Sequence, residues 1–172
     1  YLQQRNEAII GLMYDTGLRV GELVAVDVDM LREGNSALYV PTEIQKDYPN
    51  DNEPAPATLE LSADVSRLLS SYLNSRWKDS PSLFPSRSSD RITTQGVRNA
   101  ISKVAEEAGV EPFLVDGTRG DPGDVTPHAL RHSVAYRMMN AEEGNTLYDV
   151  RNRLRHRSIQ TTEQVYDHII RV

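Results

Sequence analysis

Thr126-Pro127-His128-Ala129-Leu130-Arg131-His132 decides how the rest of the chain is read. Thr126 can accept a free backbone N–H and Pro127 loses no hydrogen bond at a first helical position, so the stretch predicts a helix from Pro127 to about Asn140. His128 and Arg131 then share a face of the first turns, where unpaired N–H groups and the helix dipole favour an anion. A bidentate guanidinium beside an imidazole at such a place suits a phosphate. Surface charge near a helix start is the plain alternative for this pair. Zinc is a third, because His128 and His132 are four apart, but that pattern wants a Glu after the first His and Ala129 stands there.

Upstream, Gln4 to Thr16 reads as a helix with Ala8, Ile9, Leu12 and Met13 on one face, and Gly17 is placed to end it in a left-handed cap. Leu18 and Arg19 follow in a tight turn, and a short helix from Gly21 to Val26 ends at Asp27 and Asp29. Leu38–Val40, Glu43–Lys46 and Thr58–Leu61 are β-like runs, two of them joined by the Pro-rich, acidic loop Asp47–Pro56. Together they predict a small three-stranded antiparallel sheet. Ser62 caps a helix to about Trp77, and Thr93 or Thr94 opens another that Gly109 stops. Glu111 to Asp124, rich in Gly and poor in apolar residues, reads as a surface loop. Beyond the opening stretch, Thr146–Arg155 and Thr161–Ile169 complete an α+β chain that is mainly α-helical.

The bulk composition fits one folded domain: 172 residues, 38% apolar and 26% charged. No run approaches the roughly 18 apolar residues of a membrane span, so no membrane association is expected. With no cysteine, disulfides and Cys-ligated zinc are excluded. The chain starts at Tyr1 inside a helical pattern with no signal-peptide architecture, as expected of a piece of a longer cytoplasmic protein. A net charge of −6 argues at first against nucleic acid, but residues 1–90 hold 8 Lys and Arg against 14 Asp and Glu, while residues 91–172 hold 11 of each. Arg151, Arg153, Arg155 and Arg157 form a local basic cluster in that second half. The cations are 3 Lys and 16 Arg, which with abundant Asp suggests a high-salt or GC-rich prokaryotic source.

Two further blocks join the first. Thr16-Gly17-Leu18-Arg19-Val20-Gly21-Glu22 places an Arg where a helix-ending Gly turns into the next helix, with Glu22 able to orient a basic partner. Leu154-Arg155-His156-Arg157 precedes Thr161, Thr162 and Tyr166 near the end. Alone, Tyr166 would be read as a packed helix aromatic. In this order and spacing, from Thr16 to His168, the three blocks resemble the tyrosine recombinase, or phage integrase, family.

The resemblance implies an integrase-like catalytic domain over residues 1–172, with the family's N-terminal DNA-clamping domain lying outside this chain. It makes Arg19 and Arg131 a phosphate clamp, His128 the proton acceptor, His156 a further phosphate donor, Tyr166 the nucleophile and Lys46 the acid for the leaving oxygen. Glu22 and His132 match supporting positions, and Arg155 and Arg157 are expected at DNA. The implied partner is double-stranded DNA, bound by a homotetramer when full length, with accessory DNA-bending proteins. No metal or other cofactor is implied: two Arg forks and a His can stabilise the charge built on a phosphodiester under attack. A tyrosine with a pKa near 10 needs a base and cationic surroundings to act near neutral pH. The chain departs from the family's pattern at Arg155, where Gly usually precedes the His. A type IB topoisomerase shares this mechanism, and an inactive DNA-binding relative would share the fold.

Overall fold

The computed structural model describes residues 2–45, 53–114, 116–156 and 160–164. Helix α1 spans Leu2–Thr16 and ends where Gly17 adopts a φ of 69°. Helix α2, Val20–Ala25, follows after the three-residue turn 17–19. Three short antiparallel strands come next, β1 (Leu31–Arg32), β2 (Ala37–Val40) and β3 (Ala57–Glu60), in the spatial order β1-β2-β3 with Leu38 opposite both Leu31 and Leu59. Helix α3 (Ala63–Ser75) starts at Ser62, whose hydroxyl accepts from the Val65 N–H at 3.3 Å. Helix α4 (Thr94–Ala108) starts at Thr93 and stops at Gly109, φ 60°. Helix α5 (Pro127–Asn140) is capped by Thr126, and α6 (Leu147–Leu154) by Thr146. Residues 160–164 are again helical.

The sheet has the expected three strands with one exchanged. Residues Thr42–Ile44 form a 3₁₀ turn after Pro41, so the described part of the run expected as a strand over Glu43–Lys46 is not one, and Lys46 lies outside the described residues. The Gln45 side-chain amide donates to the carbonyl oxygens of Val40 (3.1 Å) and Ala55 (3.0 Å), so a side chain occupies acceptors that a continuing ladder would use. Leu31–Arg32 pairs with β2 instead, across the turn 33–36, where Glu33, Gly34 and Asn35 all have positive φ. Between α4 and α5 the chain makes a small hydrogen-bonded hairpin, with Phe113 bridged to Arg119 and Gly120 N–H donating to Pro112 O at 2.8 Å.

Two apolar clusters hold these elements. The larger joins α1, α2, the sheet, α3 and α4 through Ile9, Leu12, Leu23, Leu38, Leu69, Tyr72, Phe84 and Val97. The smaller is Val134 and Ala135 of α5 with Val150 and Leu154 of α6. Because α1 has no basic residue in its last turn, cations from α5 and α6 meet its C-terminal end instead. Arg137 donates to Tyr14 O, Arg153 Nη2 to Asp15 O at 2.8 Å, and Arg131 Nη1 to Gly17 O. Carbonyls that the helix leaves without N–H partners are thereby satisfied, and positive charge sits at the negative end of its dipole. This contact fixes where α5 and α6 sit relative to the turn that carries Arg19.

Candidate active site

Arg131 is the centre of the arrangement. It is 5% exposed, and besides Gly17 O its fork reaches Leu154 O, the last residue of α6. One planar group thus joins the turn after α1 to the turn after α6, a task for which the rigid guanidinium suits better than an ammonium.

Arg19 lies two residues beyond Gly17 and caps α2. Its backbone N–H donates to Glu22 Oε2 at 2.8 Å, and its Nη1 to Glu22 Oε1 at 3.3 Å. Glu22 is buried, and its Oε2 also accepts from Arg155 Nη2. The acidic position expected to orient a basic partner therefore holds two.

Arg155 ends α6 in the left-handed region, φ 56° and ψ 42°. The Gly that usually stands in the family's turn suits such a position, since a side chain costs roughly 1 kcal/mol there. Arg155, expected at DNA, has its guanidinium folded inward onto Glu22, a buried carboxylate that needs a counter-charge. Arg153 is likewise occupied inside, on Asp15 O and Glu60 O. Two arginines of the basic cluster legible in the sequence, Arg153 and Arg155, are thus spent on internal contacts. Arg157 lies outside the described residues.

His156 follows Arg155, with its backbone N–H on Arg151 O at 3.0 Å and its ring buried. Its Nδ1 is 2.9 Å from Thr162 Oγ1. Burial, then the charges of Arg131, Arg19, His132 and Arg155, push its pKa down to about 4, so the ring is neutral at pH 7. When the Thr162 hydroxyl donates to Nδ1, the ring proton sits on Nε2 and the neutral ring can donate from there.

His128 is exposed at the start of α5, its ring 4.1 Å from that of His132 and tilted by 53°. Among the described residues no third His, Cys, Asp or Glu joins them in a group that could hold a metal ion. His128 lines an open cavity of about 370 Å³ together with Arg19, Val20, Arg98, Thr126, Pro127 and Arg131. Arg19, distant in sequence from His128 and Arg131, therefore shares one concave surface with them, and His156 senses the charge of both arginines. Lys46 and Tyr166 lie outside the described residues.

The model of the phage integrase family matches residues 1–171. The chain belongs to the phage integrase family. Tyrosine recombinase XerC of Roseiflexus castenholzii (strain DSM 13941 / HLO8) is 34% identical over 166 residues, 96% of this chain and 48% of that protein. Tyrosine recombinase XerC of Roseiflexus sp. (strain RS-1) is 36% identical over 175 residues, again 96% of this chain and 48% of its own length. The chain spans about half the length of the curated relatives it matches. Among solved structures, the XerA recombinase superposes with a TM-score of 0.75 at 25% identity, covering 98% of this chain and 54% of that one. The Tn1549 transposon integrase in complex with transposon right end DNA shares the fold at a TM-score of 0.72 and 20% identity, over 95% of this chain and 54% of that one.

Within this phage integrase chain, two residues at the site escaped the sequence reading. Arg98 enters the cavity from the exposed side of α4, and nothing in its neighbourhood along the chain marks it out from other helix arginines. Thr162 did have a signal: it lies between His156 and Tyr166 in a helix start rich in Thr.

Proposed function

We propose that this chain is the catalytic part of a site-specific DNA recombinase that cuts and rejoins strands through Tyr166. The observation that carries this is the meeting of Arg19, Arg131 and His128 on one cavity, with neutral His156 beside the two arginines, in a chain of the phage integrase family. Two guanidinium forks and a neutral imidazole donor suit a phosphodiester whose non-bridging oxygens gain charge during attack.

In this mechanism His128 accepts the proton of the Tyr166 hydroxyl as its oxygen attacks phosphorus. Arg19, Arg131 and the Nε2–H of His156 hold the non-bridging oxygens. The bond from phosphorus to the 5′-oxygen breaks, and Lys46 protonates that leaving oxygen. The product is a 3′-phosphotyrosine ester of similar energy to the diester it replaces, so the step is reversible without ATP. A 5′-hydroxyl from another strand attacks the ester, releases Tyr166 and completes the exchange. Glu22 and His132 support Arg19 and the start of α5, respectively.

The whole protein is expected to act in a prokaryotic cytoplasm, in one rich in salt if the Arg and Asp usage reflects its source. There it works as a homotetramer on double-stranded DNA, with a DNA-clamping domain outside residues 1–172 and with accessory DNA-bending proteins. Arg157 is proposed to contact the DNA. No helix of the described residues is long and apolar enough to cross a membrane.

The test is a randomised duplex library carrying a nick, so that the strand beyond the cut diffuses away and the covalent product accumulates. The full-length wild type should capture a subset of related sequences in a complex that survives detergent, and Tyr166→Phe should capture none. Equal capture by the variant would refute the assignment of Tyr166. Relaxation of supercoiled plasmid carrying no captured sequence would favour a topoisomerase instead.

A further inference from the structure

The unusual residue of the His156 turn is Arg155, which accepts a φ of 56° although it carries a long side chain. An arginine ordinarily keeps its charged end in water. Here the side chain is 5% exposed and its Nη2 lies on Glu22 Oε2, in a side chain that is itself 2% exposed. Burying two opposite charges is favourable only when the geometry is good and the remaining lone pairs are satisfied. Glu22 meets that condition through the Arg19 backbone N–H at 2.8 Å and Arg19 Nη1 at 3.3 Å. One carboxylate therefore grips two segments that are far apart in the chain, the turn between α1 and α2 and the turn after α6.

We infer that Arg155 is a positioning residue that, through Glu22, fastens the turn bearing His156 to the turn bearing Arg19, so that these two phosphate-binding groups are assembled before DNA arrives. The inference rests on the recombinase function proposed above. A Gly at position 155, as in the family's usual turn, has no side chain to reach Glu22, so the link is a feature of this chain. The charged and titratable groups that act on His156 are Arg131 and His132 from α5, Arg19 from the start of α2 and Arg155 from its own turn. Arg155 thus holds the imidazole in place and adds to the positive field around it.

The experiment compares Arg155→Gly, Arg155→Lys and Glu22→Gln in the full-length protein, using as probe a nicked duplex of a sequence captured by the wild type. Single-turnover cleavage at saturating DNA, DNA affinity across a salt series and NMR titration of the His156 ring are read for each. Arg155→Gly should cleave at least about tenfold more slowly once bound, with affinity changed by less than about twofold. Arg155→Lys should recover part of the rate, Glu22→Gln should lose it as Arg155→Gly does, and the pKa of His156 should rise in Arg155→Gly as a neighbouring cation is lost. Weakened affinity with a salt slope smaller by about 0.9 and an unchanged saturated rate would make Arg155 a DNA contact and overturn the inference. A lowered melting temperature with cleavage at the wild-type rate would leave it a purely structural residue, and would equally overturn it. Where Arg155→Gly does not fold, Arg155→Lys and Glu22→Gln carry the same comparison, and wild-type saturated rates in both overturn the inference. If the wild type itself forms no covalent product, the recombinase function fails first. The His156 titration then decides the linkage alone, an unmoved curve overturning it.

Discussion

Replacing Gly17 by Ala tests the junction on which the site is built. Gly17 has a φ of 69°, and a Cβ there would stand 2.3 Å from Leu154 Cδ2 and 3.5 Å from Val134 Cγ2. Leu154 is 1% exposed and packed in the α5–α6 cluster, so it has little room to swing aside. The left-handed backbone costs about 1–2 kcal/mol for a residue with a Cβ. Overpacking adds about 1–3 kcal/mol, and the stiffer unfolded chain returns about 0.4–1 kcal/mol. The net expectation is a loss of about 1–4.5 kcal/mol. Gly109→Ala supplies the control, because its φ is 60° while nothing lies within 4 Å of the added Cβ. That variant should lose only about 0–1.5 kcal/mol. Urea melts of both, with equal slopes, would isolate the contact with Leu154 as the difference. Because Gly17 O and Leu154 O both accept from Arg131, Gly17→Ala should also slow strand cleavage under conditions where it is fully folded. A Gly17→Ala midpoint no lower than that of Gly109→Ala would refute the packing described at this junction.

Arg131→Lys should keep a cation but lose the two-carbonyl fork, and cleavage should fall at least about 10²-fold in a single-turnover assay; near-wild-type cleavage would mean that charge alone suffices. Thr162→Val removes the partner of His156 Nδ1, so ¹⁵N chemical shifts of the ring should change from one dominant neutral tautomer to a mixture, and unchanged shifts would exclude Thr162 from setting the tautomer. The His156 pKa falls from an ordinary 6.5 to about 4 on folding. The unfolded chain therefore binds a proton before the folded one does, so this group's contribution to stability is present above about pH 6.5 and is lost as pH falls towards 4. His156→Asn should flatten that part of the stability profile between those limits, and an identical pH dependence in both proteins would contradict the assignment.

The helices were legible because their ends are written in local chemistry. Ser62, Thr93, Thr126 and Thr146 are side-chain caps, and Gly17 and Gly109 are left-handed stops. These signals act within three or four residues and need no tertiary context. The strand expected over Glu43–Lys46 failed because a side chain, Gln45, took the backbone acceptors, and β1 was overlooked because two residues are too short for an alternating pattern. At the site, Arg19 and Arg131 were legible as residue types near helix starts, whereas the tie between their segments depends on Arg131 reaching the Gly17 carbonyl, 114 positions away, and could not be read locally. The basic run hid the opposite difficulty at Arg153 and Arg155. Charge along a sequence says nothing of whether a guanidinium faces solvent or, like those of Arg153 and Arg155, satisfies the interior.

In the proposed mechanism Tyr166 becomes joined to DNA. Digesting the covalent complex to peptides and nucleotides and sequencing the modified peptide by mass spectrometry locates the bond directly. The expected result is a 3′-linked nucleotide on Tyr166 and a free 5′-hydroxyl on the departing strand. A linkage on another residue, or a 5′-linked nucleotide, would contradict the account.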